Sequence, residues 1–198
     1  MCKVICITNR ALCREPFLER LERITAGKPD AVVLREKDLP ERDYLMLAEH
    51  VSEICGMYHV PLILHSFPDA AREIGASAVH LPLPVLRNLP QNARETLPAF
   101  GVSCHAAEEA QEAESAGASY LIAGHIFDTD CKKGLPGRGL RFLNAVCSSV
   151  QIPVYAIGGI TPERVPAVLE SGASGVCIMS TLMQCEDPAG LIRQLRGE

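Results

Sequence analysis

A chain of 198 residues, 47% of them hydrophobic, is long enough to bury one sizeable core, which sets aside a disordered chain and leads to one domain over residues 1–198. The formal net charge of −5 argues against a general nucleic-acid binder, which would carry a basic surface. No apolar run approaches the ~20 residues that span a bilayer, and the opening apolar run is too short for a secretory signal, so the expectation is a cytoplasmic protein with no membrane partner.

Apolar stretches suited to buried strands recur at 4–9, 31–37, 61–66, 78–82, 100–105, 120–127, 153–159 and 175–181. Between most of them, apolar residues at three- and four-residue spacing predict helices over 16–26, 41–57, 106–117, 162–172 and 188–196. Gly117 and Gly172 each follow a last helical turn and read as stops. Thr161-Pro162 reads as an N-cap with proline at the first helical position. Near-continuous apolar strands separated by helices imply a parallel sheet covered on both faces. Eight such units fit an α/β fold of the (β/α)8 TIM-barrel type, at the short end of its length range. A flavodoxin-like open sheet would leave three strands over. Gly-Ala-Ser recurs at 75–77, 117–119 and 172–174, each time between a helix and a strand, and reads as a stability element of the barrel's bottom face.

Barrel enzymes build their sites at the C-terminal ends of the strands. The polar residues at those ends are Thr8 and Asn9; Arg35, Glu36 and Lys37; His65 and Ser66; Ser103 and His105; His125 and Thr129; Gly158 and Gly159; Ser180 and Thr181. His125 ends an apolar run beside a loop rich in glycine and cations, and reads as a proton-transfer group facing an anion. A structural histidine beneath a solvated loop is the competing reading. Gly158-Gly159 on the seventh strand, with Ser180-Thr181 on the eighth, predicts a phosphate grip of exposed amides and hydroxyls. Arg35 and Lys37, two apart, would share a strand face as a second anion grip, unless they are surface charges compensated by Glu36 and Asp38. The nine cysteines form no CxxC pair, which suits neither zinc nor a disulfide framework. Cys131 stands apart, beside Lys132 and Lys133.

These residues resemble the thiamine phosphate synthase superfamily and, within it, the TenI-type thiazole tautomerases. The resemblance runs from Val4 to about Leu195. It is carried by Val33-Leu-Arg-Glu-Lys37, Gly75-Ala-Ser-Ala-Val-His-Leu81, Gly101-Val-Ser-Cys-His105, Gly124-His-Ile-Phe-Asp-Thr-Asp-Cys-Lys132, Val154-Tyr-Ala-Ile-Gly-Gly-Ile160 and Gly175-Val-Cys-Ile-Met-Ser-Thr181. The synthases carry an Asn-Asp pair after strand three and an Asp after strand four, acids that hold the magnesium binding a pyrimidine pyrophosphate. Here those places read His65-Ser66 and Leu81-Pro-Leu-Pro-Val85. Where the synthases have Pro, this chain has His125, as the tautomerases do.

The resemblance therefore implies an isomerase. It would aromatise a thiazole carboxylate phosphate with His125 as acid/base and would need no cofactor and no metal. The phosphate would sit on Gly158, Gly159, Ser180 and Thr181. The carboxylate would face Arg35 and Lys37, with Ser103, Thr129 and Lys132 competing for it. Family members are often dimers, which leaves a homodimer open. Three further readings stand beside this one: a thiamine phosphate synthase, a non-catalytic ligand-binding or regulatory barrel, and a metal site from His65, His80, His105 and His125.

Overall fold

The computed structural model describes residues 2–198. Eight strands pair in sequence order into a closed, all-parallel barrel: β1 Lys3–Ile7, β2 Ala31–Leu34, β3 Leu62–His65, β4 Ala78–Pro82, β5 Phe100–Cys104, β6 Tyr120–Gly124, β7 Val154–Ile157 and β8 Gly175–Ile178. Closure is made by β1 against β8, with Val4 opposite Val176 and Cys6 opposite Ile178.

Alternation along each strand divides the core in two. Ile5, Ile7, Val33, Ile63, Ile122, Tyr155 and Cys177 fill the barrel interior. Val4, Cys6, Val32, Leu34, Leu64, Leu121 and Val176 face outward and pack under the helices. That two-sided burial is why the strands read as unbroken apolar runs and not as alternating ones.

Of the helices, α1 Phe17–Ala26 and α2 Glu41–Met57 follow β1 and β2. Three short ones, α3 Pro68–Glu73, α4 Leu83–Asn88 and α5 Gln91–Glu95, surround β4. Then come α6 Ala107–Ser115, α7 Gly139–Ser149, α8 Val165–Glu170, α9 Ser180–Gln184 and α10 Pro188–Arg196. The sequence pattern left α3, α4, α5, α7 and α9 unassigned. Four of these have at most six residues, too few to display a 3.6-residue period. The fifth, α7, starts at a glycine after Arg138 and has no side-chain cap to announce it. The stretch predicted as one helix over 162–172 is a 3-10 turn, Pro162–Arg164, leading into α8. Thr161 holds the N-cap position in extended backbone without capping through its side chain.

The three Gly-Ala-Ser repeats share one geometry. Gly75, Gly117 and Gly172 adopt φ of 63°, 93° and 95°, left-handed values that end the preceding helix. Two residues on, each serine amide donates to the neighbouring strand: Ser77 to Leu62, Ser119 to Phe100 and Ser174 to Val154, at 3.0, 2.8 and 2.8 Å. One tripeptide thus stops a helix and opens a strand ladder.

A Cβ at Gly117 would meet nothing closer than Phe100 at 4.0 Å, so Gly117→Ala isolates the backbone cost. We expect a loss of ~1–2 kcal/mol in denaturant unfolding. Gly56→Ala, in open space within α2, should instead gain up to ~1 kcal/mol.

Candidate functional site

The strands β1, β2, β6, β7 and β8 each end two or three residues before the predicted limits, and β3 and β5 end one before. Many of the residues beyond those ends line the mouth, together with residues within the strands such as His80 and Ser103. A single cavity of about 1240 Å3 opens there, bounded by Asn9, Arg35, His65, His80, Ser103, His105 and His125, by the loop from Asp128 to Pro136, and by Gly158, Gly159, Ser180 and Thr181. Of the nominated site residues, the cavity gathers His125, Arg35, Ser103, Thr129, Lys132, Gly158, Gly159, Ser180 and Thr181. Lys37 does not line it. Because β2 ends at Leu34, strand alternation no longer governs Lys37, and its side chain is exposed.

The floor on the β1–β2 side is held by Glu36, which is buried. Its carboxylate accepts the Thr8 hydroxyl at 2.6 Å and the Arg10 amide at 3.0 and 3.1 Å, and pairs with the Arg10 guanidinium at 3.4 Å. Thr8 Oγ1 in turn accepts the Arg35 amide at 2.9 Å. Glu36 and Asp38 are therefore neutralised by Arg10, not by Arg35 and Lys37. The sequence reading missed Arg10; its place immediately after Asn9 at a strand end was the available signal.

Arg35 is left half-buried, and among the described residues it has no carboxylate within ion-pair distance. Burial lowers its pKa, against a smaller opposing effect from Glu36. Lys37 is also lowered, by burial and then by the positive charges of Arg35 and Lys132. Three cations thus crowd one side of the mouth, and an anion among them would relieve the repulsion.

His65 lies buried at the end of β3 and His80 buried within β4, their rings stacked 5.8 Å apart. His65 Nδ1 meets Ser66 Oγ at 2.7 Å. His80 meets Tyr120 Oη through Nδ1 at 3.1 Å and Ser103 Oγ through Nε2 at 2.8 Å. Burial pushes both imidazoles down to about 3, with Arg35 and Lys37 adding to the effect on His65, and His65 and Arg35 to that on His80. Both are therefore neutral near pH 7. His105 bonds the Gly124 carbonyl through Nδ1 at 2.7 Å, and Glu109 accepts its amide.

His125 is only partly exposed, and its Nε2 meets the Leu135 carbonyl at 3.2 Å. A carbonyl can only accept, so Nε2 carries a proton, and Nδ1 is left without a partner among the described residues. The segment that follows runs beside β7: Ile126 donates to Ile157 and Phe127 to Gly158, at 2.9 and 3.0 Å. Asp128 Oδ1 accepts the Gly137 amide at 2.7 Å and closes the loop.

Gly158 and Gly159 were expected to lack side chains so that an anion could approach. The structure gives a different reason. A Cβ on Gly158 would collide with the Cα and Cβ of His125, and one on Gly159 with Phe127 and the Asp128 carbonyl. Both residues adopt left-handed φ, 103° and 62°. They are glycines because the loop after β6 lies on top of them. Cys131 sits exposed in the 3-10 turn Asp130–Lys132, at the cavity edge.

The magnesium of the synthases does not fit the residues at the corresponding strand ends. His65-Ser66 and His80-Leu81-Pro82 supply no carboxylate, His65 Nδ1 is engaged by Ser66, and both His80 nitrogens are taken. Among the described residues no three His, Cys, Asp or Glu side chains converge to hold a metal, so His65, His80, His105 and His125 do not form the histidine metal site weighed above. No helix among them is long and apolar enough to cross a membrane.

Fold and mouth together define a (β/α)8-barrel protein organised around a cationic cavity at the C-terminal strand ends. A family model described as thiamine monophosphate synthase matches residues 4–182, and the chain belongs to that family. It is 36% identical to thiamine-phosphate synthase 2 of Streptococcus pneumoniae, over 87% of this chain and 83% of the relative. It is also 36% identical to the thiamine-phosphate synthase of Thermus thermophilus, over 92% and 88%. Among solved structures, a thiamine phosphate pyrophosphorylase from Pyrococcus furiosus superposes with a TM-score of 0.85 at 32% identity, covering 98% of this chain and 94% of that one.

These relatives overturn the isomerase expectation. They are named as synthases, which are transferases, and the likeness extends over most of the chain. The isomerase reading rested on a few positions, chiefly His65, Ser66 and His125, whereas the mouth as a whole is shared out over eight strand ends.

A pH dependence of stability follows from the two buried histidines. Their folded pKa lies below the unfolded value of ~6.5. Their stabilising contribution is complete above that value and is lost as pH falls from ~6.5 toward about 3, because over that window only the unfolded chain takes up protons. Each should cost up to ~1.4 kcal/mol per pH unit. Urea unfolding at pH 7, 6 and 5 should show this fall, and His65→Gln should flatten it by roughly half.

Proposed function

We propose that this chain is a transferase of the thiamine-phosphate synthase type, joining a pyrimidine pyrophosphate to a thiazole phosphate in the barrel mouth, with pyrophosphate released. The observation that carries the reading is that half-buried Arg35, without a carboxylate partner among the described residues, lines one continuous cavity together with Gly158, Gly159 and Ser180. The volume of about 1240 Å3 exceeds what one small ligand usually fills and suits two substrates held together.

The roles divide by charge. Arg35 and Lys132 would take the pyrophosphate, with the charge of Lys37 beside them, and offset the charge that grows on it as it leaves. Gly158, Gly159, Ser180 and Thr181 would hold the phosphate of the second substrate through amides and hydroxyls. Ser103 and Thr129 would contact the oxygens between them, and His125 would present its free Nδ1 to the bound pair. No step is assigned to a metal, because the strand-end residues do not fit one.

A second reading, a barrel that binds these ligands without joining them, is favoured by the missing carboxylates at His65-Ser66 and after His80. The two are separated by incubating the protein with both substrates and following thiamine phosphate. The proposal predicts product above background, and none would leave the binding barrel.

Arg35→Gln should weaken pyrophosphate binding about tenfold or more, the worth of a charge-assisted hydrogen bond, while the unfolding midpoint barely moves. Unchanged affinity by calorimetry would place the pyrophosphate elsewhere.

A further inference from the structure

Donor and acceptor accounting inside the barrel assigns a direction to one chain of hydrogen bonds. Tyr120 enters at the start of β6, its ring packed over Gly101, where a Cβ would collide with it, and edge-on to Tyr155 at 5.9 Å. Among the described residues its hydroxyl has one hydrogen-bond partner, His80 Nδ1. His80 is neutral, so one ring nitrogen donates and the other accepts. If Nδ1 carried the proton, the Tyr120 hydroxyl would accept it, and its own proton would point into an interior of Ile5, Ile63, Ile122 and Cys177 with nothing to receive it. The opposite arrangement leaves nothing unpaired. Tyr120 donates to Nδ1, Nε2–H donates to Ser103 Oγ at 2.8 Å, and the Ser103 proton is free to point into the mouth that Ser103 lines.

We propose that Tyr120 and His80 are positioning residues that keep the Ser103 proton free for the mouth, where it favours a ligand acceptor such as a phosphate or carboxylate oxygen. Without the chain, a serine hydroxyl rotates and can donate or accept. With it, the serine proton is not spent on His80, so a ligand acceptor finds a donor there that the opposite tautomer would withhold. The direction of the chain follows from the barrel interior alone. The chemical class of the ligand rests on the reading of the mouth as a site for phosphate esters.

The direct test is nitrogen NMR of the full chain labelled with 15N-histidine at pH 7, the His80 signals being identified by their loss in His80→Gln. The chain requires an unprotonated Nδ1 and a protonated Nε2. A protonated Nδ1 in the wild-type protein would overturn it. Tyr120→Phe keeps the ring over Gly101 and removes only the donor, so the Nδ1–H form should become populated; an unchanged tautomer would show that Tyr120 does not set it. The second readout is affinity for inorganic pyrophosphate by calorimetry. Ser103→Ala should lower it about tenfold and Tyr120→Phe about threefold, with no further loss when Tyr120→Phe is added to Ser103→Ala. Additive losses would mean that Tyr120 does not act through Ser103. A wild-type protein that binds no pyrophosphate would contradict the proposed function, and the tautomer would still decide the chain.

Discussion

Gly158 and Gly159 lie so close to the segment following β6 that neither position has room for a side chain, and the mouth is organised around that contact. The Phe127 amide donates to Gly158, Arg164 donates to the Gly159 carbonyl, and the Arg164 guanidinium lies over the Phe127 ring, 4.6 Å from its centre. The contact fixes where His125 leaves the barrel. His125 then holds the Leu135 carbonyl, and with it the loop that carries Lys132 toward Arg35. A bulkier residue at either glycine would lift the loop, separate the cations and open the cavity. The loop thus takes its place from backbone packing against β7, although its own sequence is rich in glycine and charge.

Burial does the rest. The upper barrel is lined with polar residues, and the buried ones are matched to a partner or neutralised. Glu36 is satisfied by Thr8 and Arg10, and Tyr44 donates to the Leu34 carbonyl while accepting the His65 amide. The two buried histidines are kept uncharged, which lets them stack beside Arg35 without adding to its repulsion. What remains unmatched is positive charge at Arg35, Lys37 and Lys132, and that is the property an anionic substrate would complete.

The eight strands were legible because burial on both faces makes them apolar throughout, and that signal survives without knowledge of tertiary contacts. Their ends were not. Arg35, Ser66 and Phe127 lie past the last strand residues, and composition alone does not mark where the regular ladder stops. Short helices such as α4 and α9 are held by packing of Leu83, Leu86, Leu182 and Met183 and not by a periodic face. In the site, Arg35, Ser103, His125 and the glycine–hydroxyl wall could be nominated because barrels place chemistry at strand ends. The partners that set their states could not. Arg10 lies 26 residues from Glu36, and Tyr120 lies 40 residues from His80. The catalytic class was misjudged for a related reason. A few strand-end substitutions were given more weight than similarity over the whole chain, and the synthase relatives reverse that weighting.

The central claim is that one mouth holds two phosphorylated ligands side by side, one on the cations and one on the glycine–hydroxyl wall. Titrating a thiazole phosphate into the protein already saturated with inorganic pyrophosphate tests this most directly. The account predicts binding of one equivalent with an affinity at least as great as in the absence of pyrophosphate. Competition between the two, with the thiazole phosphate displaced in proportion to pyrophosphate, would mean a single anion site and would contradict it.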